Sequence, residues 1–371
     1  MRGIGHYCRV RFRTPAVRWI LGVTAGIVAV AIAVAATAVA AETSKLTYFT
    51  WAGYNDPAFR KPYTDKYGAG PRYTFYSGTD EGFTRLAAGF QADVAHPCIH
   101  DVKKWKDAGL LQPIDTSKIT AWNDLLPGLR DSDAIRMDGK QWLVPWEWGF
   151  SSLMYRADKV RPTEQTFALL IDPKYRGRTA FPDVFDELFQ VAAVLAGVRT
   201  PLSLQESDYP KVEQMFRALR DNARFMWTDP AQLEQAMASG EIDVAWGWPN
   251  TVRHLRQQGV PVDYMLRPKE KLVTWLCGLA HLKSSTAPRQ EVYDFINALT
   301  APASGKALVE DFGYGAANSE ALKIVPKADL DALGLGGDAN ELLAHGNLLG
   351  PMPEAQRKRL IDMWETIKAG G

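Results

Sequence analysis

Short β-rich segments alternate with amphipathic helical ones from residue 45 onward. The alternation breaks near residue 141 and then resumes as a second set. These two observations predict an α/β protein of two lobes, each a mainly parallel sheet flanked by helices. The length of 371 residues suits two such domains, and a composition of 46% hydrophobic and 23% charged residues is that of an ordinary globular chain. A ligand cleft is expected where the lobes meet.

Residues 1–41 stand apart. Arg2, Arg9, Arg11, Arg13 and Arg18 precede an uncharged run from Trp19 to Ala41, and Ala38–Ala41 offers small residues for cleavage. This is the pattern of an export signal. The alternative is a retained anchor, since the 23-residue run is long enough to span a bilayer; its alanine content and terminal small residues favour cleavage. The five arginines of this segment account for part of the 43 basic residues, leaving 38 against 42 acidic ones, a mature charge of −4. That balance argues against a nucleic-acid partner. Only Cys98 and Cys277 remain beyond the signal, and an exported chain is expected in a compartment where disulfides persist.

The first mature strand is read over 45–51, opening on Gly53. A helix carrying Phe59 and Tyr63 ends near Gly68 and leads to a strand over 72–76. A helix over 81–90, a short strand over 92–96 and a helix over 102–109 complete the first set. The second set has strands over 152–155, 178–181 and 242–246, with helices over 187–196, 211–222 and 251–258. A strand over 272–276 starts a return, and helices follow over 291–299 and 357–368.

The chain contains no G-x-S-x-G, H-E-x-x-H, P-loop, C-x-x-C or strand-borne G-x-G-x-x-G, so no catalytic residue and no cofactor are assigned. His96, Cys98 and His100 would share a face if extended and would suit zinc or copper. Pro97 interrupts the extension, so polar residues at a strand end are the better reading. Among the twelve tryptophans, Trp51, Trp146, Trp148, Trp246, Trp248 and Trp275 lie in strands or at strand–loop junctions. Converging on a cleft, such rings would attract an ammonium group; taken singly, each is as well explained by core packing. Asp183, Asp186 and Glu187 mark a strand-to-helix passage, where acids also favour a helix N-terminus.

Several short stretches, in order and spacing, carry a resemblance. They are Tyr48–Tyr54, Asp93-Val94 to Asp115, Val144–Gly149, Pro173–Gly177 and Gly313-Tyr314 to Asn318. Over nearly all of 45–371 the chain resembles the periplasmic spermidine/putrescine-binding proteins of ABC importers. The resemblance implies a type II periplasmic-binding-protein fold with two chain crossings at a hinge. Lobe one would comprise 42–147 plus about 275–320, and lobe two 148–274 plus about 321–371. It further implies a monomeric receptor that closes on a small cation and delivers it to a membrane permease. Trp51, with Tyr54 beside it, Trp248 and Trp275 match the family's aromatic positions, and Glu187 matches one of its acids. A second acid falls on Val184, with Asp183 adjacent.

The departures point to an altered ligand. The family's amine-gripping aspartate reads Cys277, its polar cluster after the third strand reads Cys98-Ile99-His100, and a late glutamine falls on Gly346 or Asn347. A shorter amine, a monocation or an amino-acid-like compound is therefore expected in place of spermidine. Cys98 and Cys277 both occupy ligand-contacting positions of the family, on strands that lie side by side in it. They are read either as a disulfide or as two buried free thiols. An exported enzyme working in the same cleft, and a metal or thiol-compound receptor using His96, Cys98 and Cys277, are the alternatives to a cation receptor.

Overall fold

A computed structural model describes residues 44–338, 341 and 346–370; the export signal read over 1–41 lies outside these. Thirteen strands are described: β1 Thr47–Trp51, β2 Arg72–Tyr76, β3 Val94–Ala95, β4 Arg136–Met137, β5 Lys140–Gln141, β6 Val144–Arg156, β7 Thr179–Pro182, β8 Ala223–Trp227, β9 Val244–Gly247, β10 Val262–Tyr264, β11 Val273–His281, β12 Gly315–Ala316 and β13 Asn347–Leu348. β4 and β5 form a small hairpin. The others make one sheet whose main path runs β2-β1-β3-β11-β6-β9-β7-β8.

Two parallel groups sit at the ends of that path. β1 pairs parallel with β2 and β3, and β7 pairs parallel with β8 and β9. Each strand in a group is followed by a helix, the crossover that parallel pairing requires. Between the groups run β6 and β11, antiparallel to each other and to their neighbours β9 and β3. The fold is the anticipated two-lobed α/β architecture, with β6 and β11 as the chain crossings that join the parallel groups.

β6 is longer than the sequence pattern suggests. Only 152–155 reads as a strand from its alternation, whereas the strand spans Val144–Arg156 with eleven consecutive buried residues. A strand covered on both faces has no reason to alternate. Pro145 fits inside it because the β6–β11 register shifts between Cys277 and Gly278, and the Gly278 N–H bonds Pro97 O at 3.1 Å instead. A Cβ on Gly278 would lie 2.2 Å from Val144 O, so the bulge requires glycine.

β8 and the helix Pro230–Ser239 are absent from the sequence reading. The signals for that helix were present: Asp229 caps Ala231 N at 2.9 Å, Pro230 opens the first turn, and Gly240 closes it at φ 78°. The helix Ile99–Asp107 starts three residues earlier than expected, immediately after Cys98. The helix Glu354–Lys368 packs on Tyr209–Asn222, with Trp364 and Phe216 ring centroids 5.3 Å apart and Arg220 Nη1 donating to Ile367 O at 2.7 Å.

Candidate functional site

The carboxyl ends of the parallel strands converge on one cavity. Trp51 comes from the end of β1, Tyr76 from β2, Cys98 and His100 from just after β3, Glu187 from beyond β7, and Trp248 from beyond β9. Glu147 of β6 and Trp275 and Cys277 of β11 form its floor. Ligands of open α/β sheets sit at such strand ends. The cavity measures about 110 Å³, several times the roughly 10–15 Å³ one water needs, so it has room for a small organic molecule.

The aromatic walls are held edge-on. Trp51 donates from Nε1 to His96 O at 3.0 Å. Trp248 meets Trp227 at 4.9 Å and 89°, and Trp275 meets Tyr314 at 4.9 Å and 89°. Edge-to-face contacts of this kind fix ring orientation. Of the six tryptophans singled out in the sequence, Trp51, Trp248 and Trp275 line the cavity. Trp146, Trp148 and Trp246 belong to the core: Trp148 donates to Ala316 O at 3.1 Å and Trp246 packs edge-on to Phe167 at 4.7 Å.

Glu187 stands in the first turn of the helix Phe185–Leu195 and is buried. Its Oε1 accepts from Ser151 Oγ at 2.8 Å and Trp248 Nε1 at 2.7 Å; its Oε2 accepts from Trp246 Nε1 at 2.6 Å. Burial raises its pKa above the usual carboxylate range, against the pull of these three donors. Glu147 is a second buried carboxylate on the cavity. Tyr54 Oη donates to its Oε1 at 2.5 Å, and His96 Nε2 lies 3.3 Å from the same atom. Burial, together with the Glu147 charge, pushes the Tyr54 phenol well up, so Tyr54 keeps its proton for this bond.

A charged cluster includes the lining residues Asp186 and His100. Arg357 donates to Asp186 Oδ2 at 2.7 Å and to Asp80 Oδ2 at 2.8 Å, and His100 Nε2 lies 3.1 Å from Asp101 Oδ2. Burial pushes Asp101 up to about 6. Asp80 stays below its ordinary value, because Arg357 and Lys104 outweigh its burial. No lysine or arginine is among the residues that line the cavity.

Asp183 is placed differently from the sequence reading. It is not on the cavity wall; its carboxylate lies 3.3 Å from Lys368 Nζ. Val184 faces the cavity, and in extended backbone its neighbour turns the other way. Asn347 likewise turns away, donating to Glu270 O at 2.8 Å, and Leu349 lines the cavity instead.

Cys98 and Cys277 are joined by a disulfide across an antiparallel bridge, and both line the cavity. With Cys98 oxidised and His96 held between Thr50 and Glu147, the metal set considered in the sequence has no thiolate to offer. Among the described residues no cluster of three or more His, Cys, Asp or Glu is placed to hold a metal ion.

The sequence reading did not single out Glu147 as a site residue, although the signal was present: one acid inside the apolar run Val144–Gly149. Asp186 was read as equally explained by helix capping, and Tyr314 only as part of a matching stretch.

Residues 59–332 match the model of a family described as bacterial extracellular solute-binding protein. The spermidine/putrescine-binding periplasmic protein of Escherichia coli (strain K12) is 26% identical over 291 residues, covering 76% of this chain and 80% of that protein. The putrescine-binding periplasmic protein PotF of the same organism is 24% identical over 373 residues, covering 95% and 98%. The solved structure of the spermidine/putrescine ABC transporter substrate-binding protein PotD from Streptococcus pneumoniae superposes with a TM-score of 0.71 at 18% identity, covering 87% of this chain and 98% of that one.

Proposed function

The chain belongs to the bacterial extracellular solute-binding proteins, and on that premise we propose that it is the receptor of an ABC importer for a small organic polycation of the polyamine class. The observation that carries this reading is the charge of the cleft. Glu147 and Glu187 face it, Trp51, Trp248 and Trp275 wall it, and no lysine or arginine is among its lining residues. Aromatic faces and buried carboxylates both favour an ammonium. A carboxylate-bearing ligand would find only the His100 imidazole, already 3.1 Å from Asp101 Oδ2, as a side-chain counter-ion there, which disfavours the amino-acid-like compounds anticipated from the departures. The relatives named for spermidine and putrescine support the same class.

Binding proceeds by closure of two lobes, 42–147 plus about 275–320 and 148–274 plus about 321–371, about the β6–β11 pair. This hinge assignment is supported by the position of those strands between the two parallel groups. The protein works as a periplasmic monomer released by cleavage after the 1–41 signal. It hands its solute to a membrane permease, catalyses no reaction and takes no nucleic-acid partner.

The test is calorimetric titration of the purified mature protein with putrescine, cadaverine and spermidine, and with γ-aminobutyrate as a zwitterionic control. Saturable binding of at least one amine, and none of the zwitterion, is expected. Binding of the zwitterion alone would overturn the reading.

A further inference from the structure

The cavity contains a carboxylate oxygen that no described residue satisfies. The Tyr54 hydroxyl donates to Oε1 of Glu147, and His96 Nε2, itself without a hydrogen bond, lies 3.3 Å from that same oxygen. Oε2 has no hydrogen bond, although the side chain is only 1% exposed and lines the cavity. Buried charged acceptors are rarely left without a donor. Other unpaired atoms carry less weight. Trp275 Nε1 is unpaired, but so are Trp105 and Trp227, which are away from the cavity. Asp101 Oδ2 has His100 within 3.1 Å. Glu187 contrasts with Glu147, since both of its oxygens are already occupied.

We propose that Glu147 grips a terminal primary ammonium of the ligand through Oε2. The inference rests on the amine reading of the cleft and names the residue that selects the amine. A water could donate to Oε2 but brings no charge; an ammonium supplies both donor and charge. Glu147 is the register partner of Cys277, and neither β6 nor β11 carries another carboxylate. Cross-strand partners present their side chains on one face, about 4.5–5.5 Å apart at Cβ. The carboxylate that the resemblance leads one to expect on β11 is thus delivered from the facing position on β6, while residue 277 is tied up in the disulfide with Cys98.

The experiment pairs putrescine titration of the wild type and Glu147→Gln with a crystal structure of the wild type bound to putrescine. The amide keeps an acceptor for Tyr54 and places a donor where Oε2 stood. Affinity is expected to fall by at least about tenfold, the scale of losing one charge-assisted hydrogen bond. In the complex, a ligand nitrogen is expected within about 3.2 Å of Oε2. A smaller loss overturns the inference alone, as does a complex in which no ligand nitrogen reaches Oε2. Failure of the wild type to bind putrescine, cadaverine or spermidine overturns the amine reading, and the inference with it. Should the variant not fold, the wild-type complex decides.

Discussion

Glu187 and Glu147 face the same cavity from opposite kinds of backbone. Glu187 sits in the first turn of a helix and accepts three hydrogen bonds spread over both oxygens, two of them from tryptophan N–H groups. Glu147 sits inside a strand buried on both faces and has its neighbours on one oxygen only. Both bring a carboxyl group into an apolar site, but the distribution of donors separates their tasks. A carboxylate with protein donors on both oxygens, three of its about four acceptor sites taken, orients those donors. One with an open oxygen is available to a ligand.

The sharpest way to break that comparison is Glu187→Ala. It strands the Ser151, Trp246 and Trp248 donors inside the protein, and stability is expected to fall by roughly 3–5 kcal/mol, given about 1–3 kcal/mol for each buried group left unpaired and partial relief of a buried charge. Glu147→Gln, which retains the acceptor for Tyr54, is expected to lose under about 1 kcal/mol on the same scale. Urea unfolding of both variants measures this; equal losses would erase the distinction.

Next in size is the covalent link behind Glu147. Replacing both cysteines, Cys98→Ser with Cys277→Ser, should cost about 2–4 kcal/mol by thermal or urea unfolding. Thiol counting on denatured mature protein without reductant should find no free thiol. Two free thiols would mean that β11 is held opposite Glu147 by sheet hydrogen bonds and packing without a covalent link. A smaller effect, close to that of Glu147→Gln, is expected of Trp248→Phe. It keeps an aromatic face against Trp227 and removes one N–H from Glu187, whose Oε1 retains Ser151. A loss of about 1 kcal/mol, one hydrogen bond, is expected on unfolding. A loss as large as that of Glu187→Ala would show the three donors acting as one unit.

Much of this arrangement was legible in the sequence. The helix Lys61–Tyr67 announced itself through Tyr63 and the Gly68 stop, which closes it at φ 69°; Phe59, expected in the same helix, lies in the 3-10 turn Pro57–Arg60 that precedes it. The strand-end positions of Trp51 and Trp248 were readable because a strand followed by a loop in α/β order places its last residues at the sheet's carboxyl edge, whereas Trp275 was readable only as part of the return strand. The pairing of Cys98 with Cys277 was open between a disulfide and free thiols, since their 178 intervening residues say nothing about distance. Asp183 and Asp186 could not be told apart, because both sit where acids cap helices. One pairs with Lys368, the other with Arg357 of the same distant helix.

The sequence by itself determined the alternation of strands and helices, the two sets that become the lobes, and which aromatic residues stand at strand ends. These depend on spacing along the chain, which is local and periodic. Only the tertiary structure decided that Glu187 would have donors on both oxygens and Glu147 on one. Hydrogen-bond satisfaction depends on donors brought together from afar: Ser151 and Trp246 from neighbouring strands, Tyr54 from the loop after β1. No periodicity along one segment encodes how many donors another segment will present to a buried oxygen.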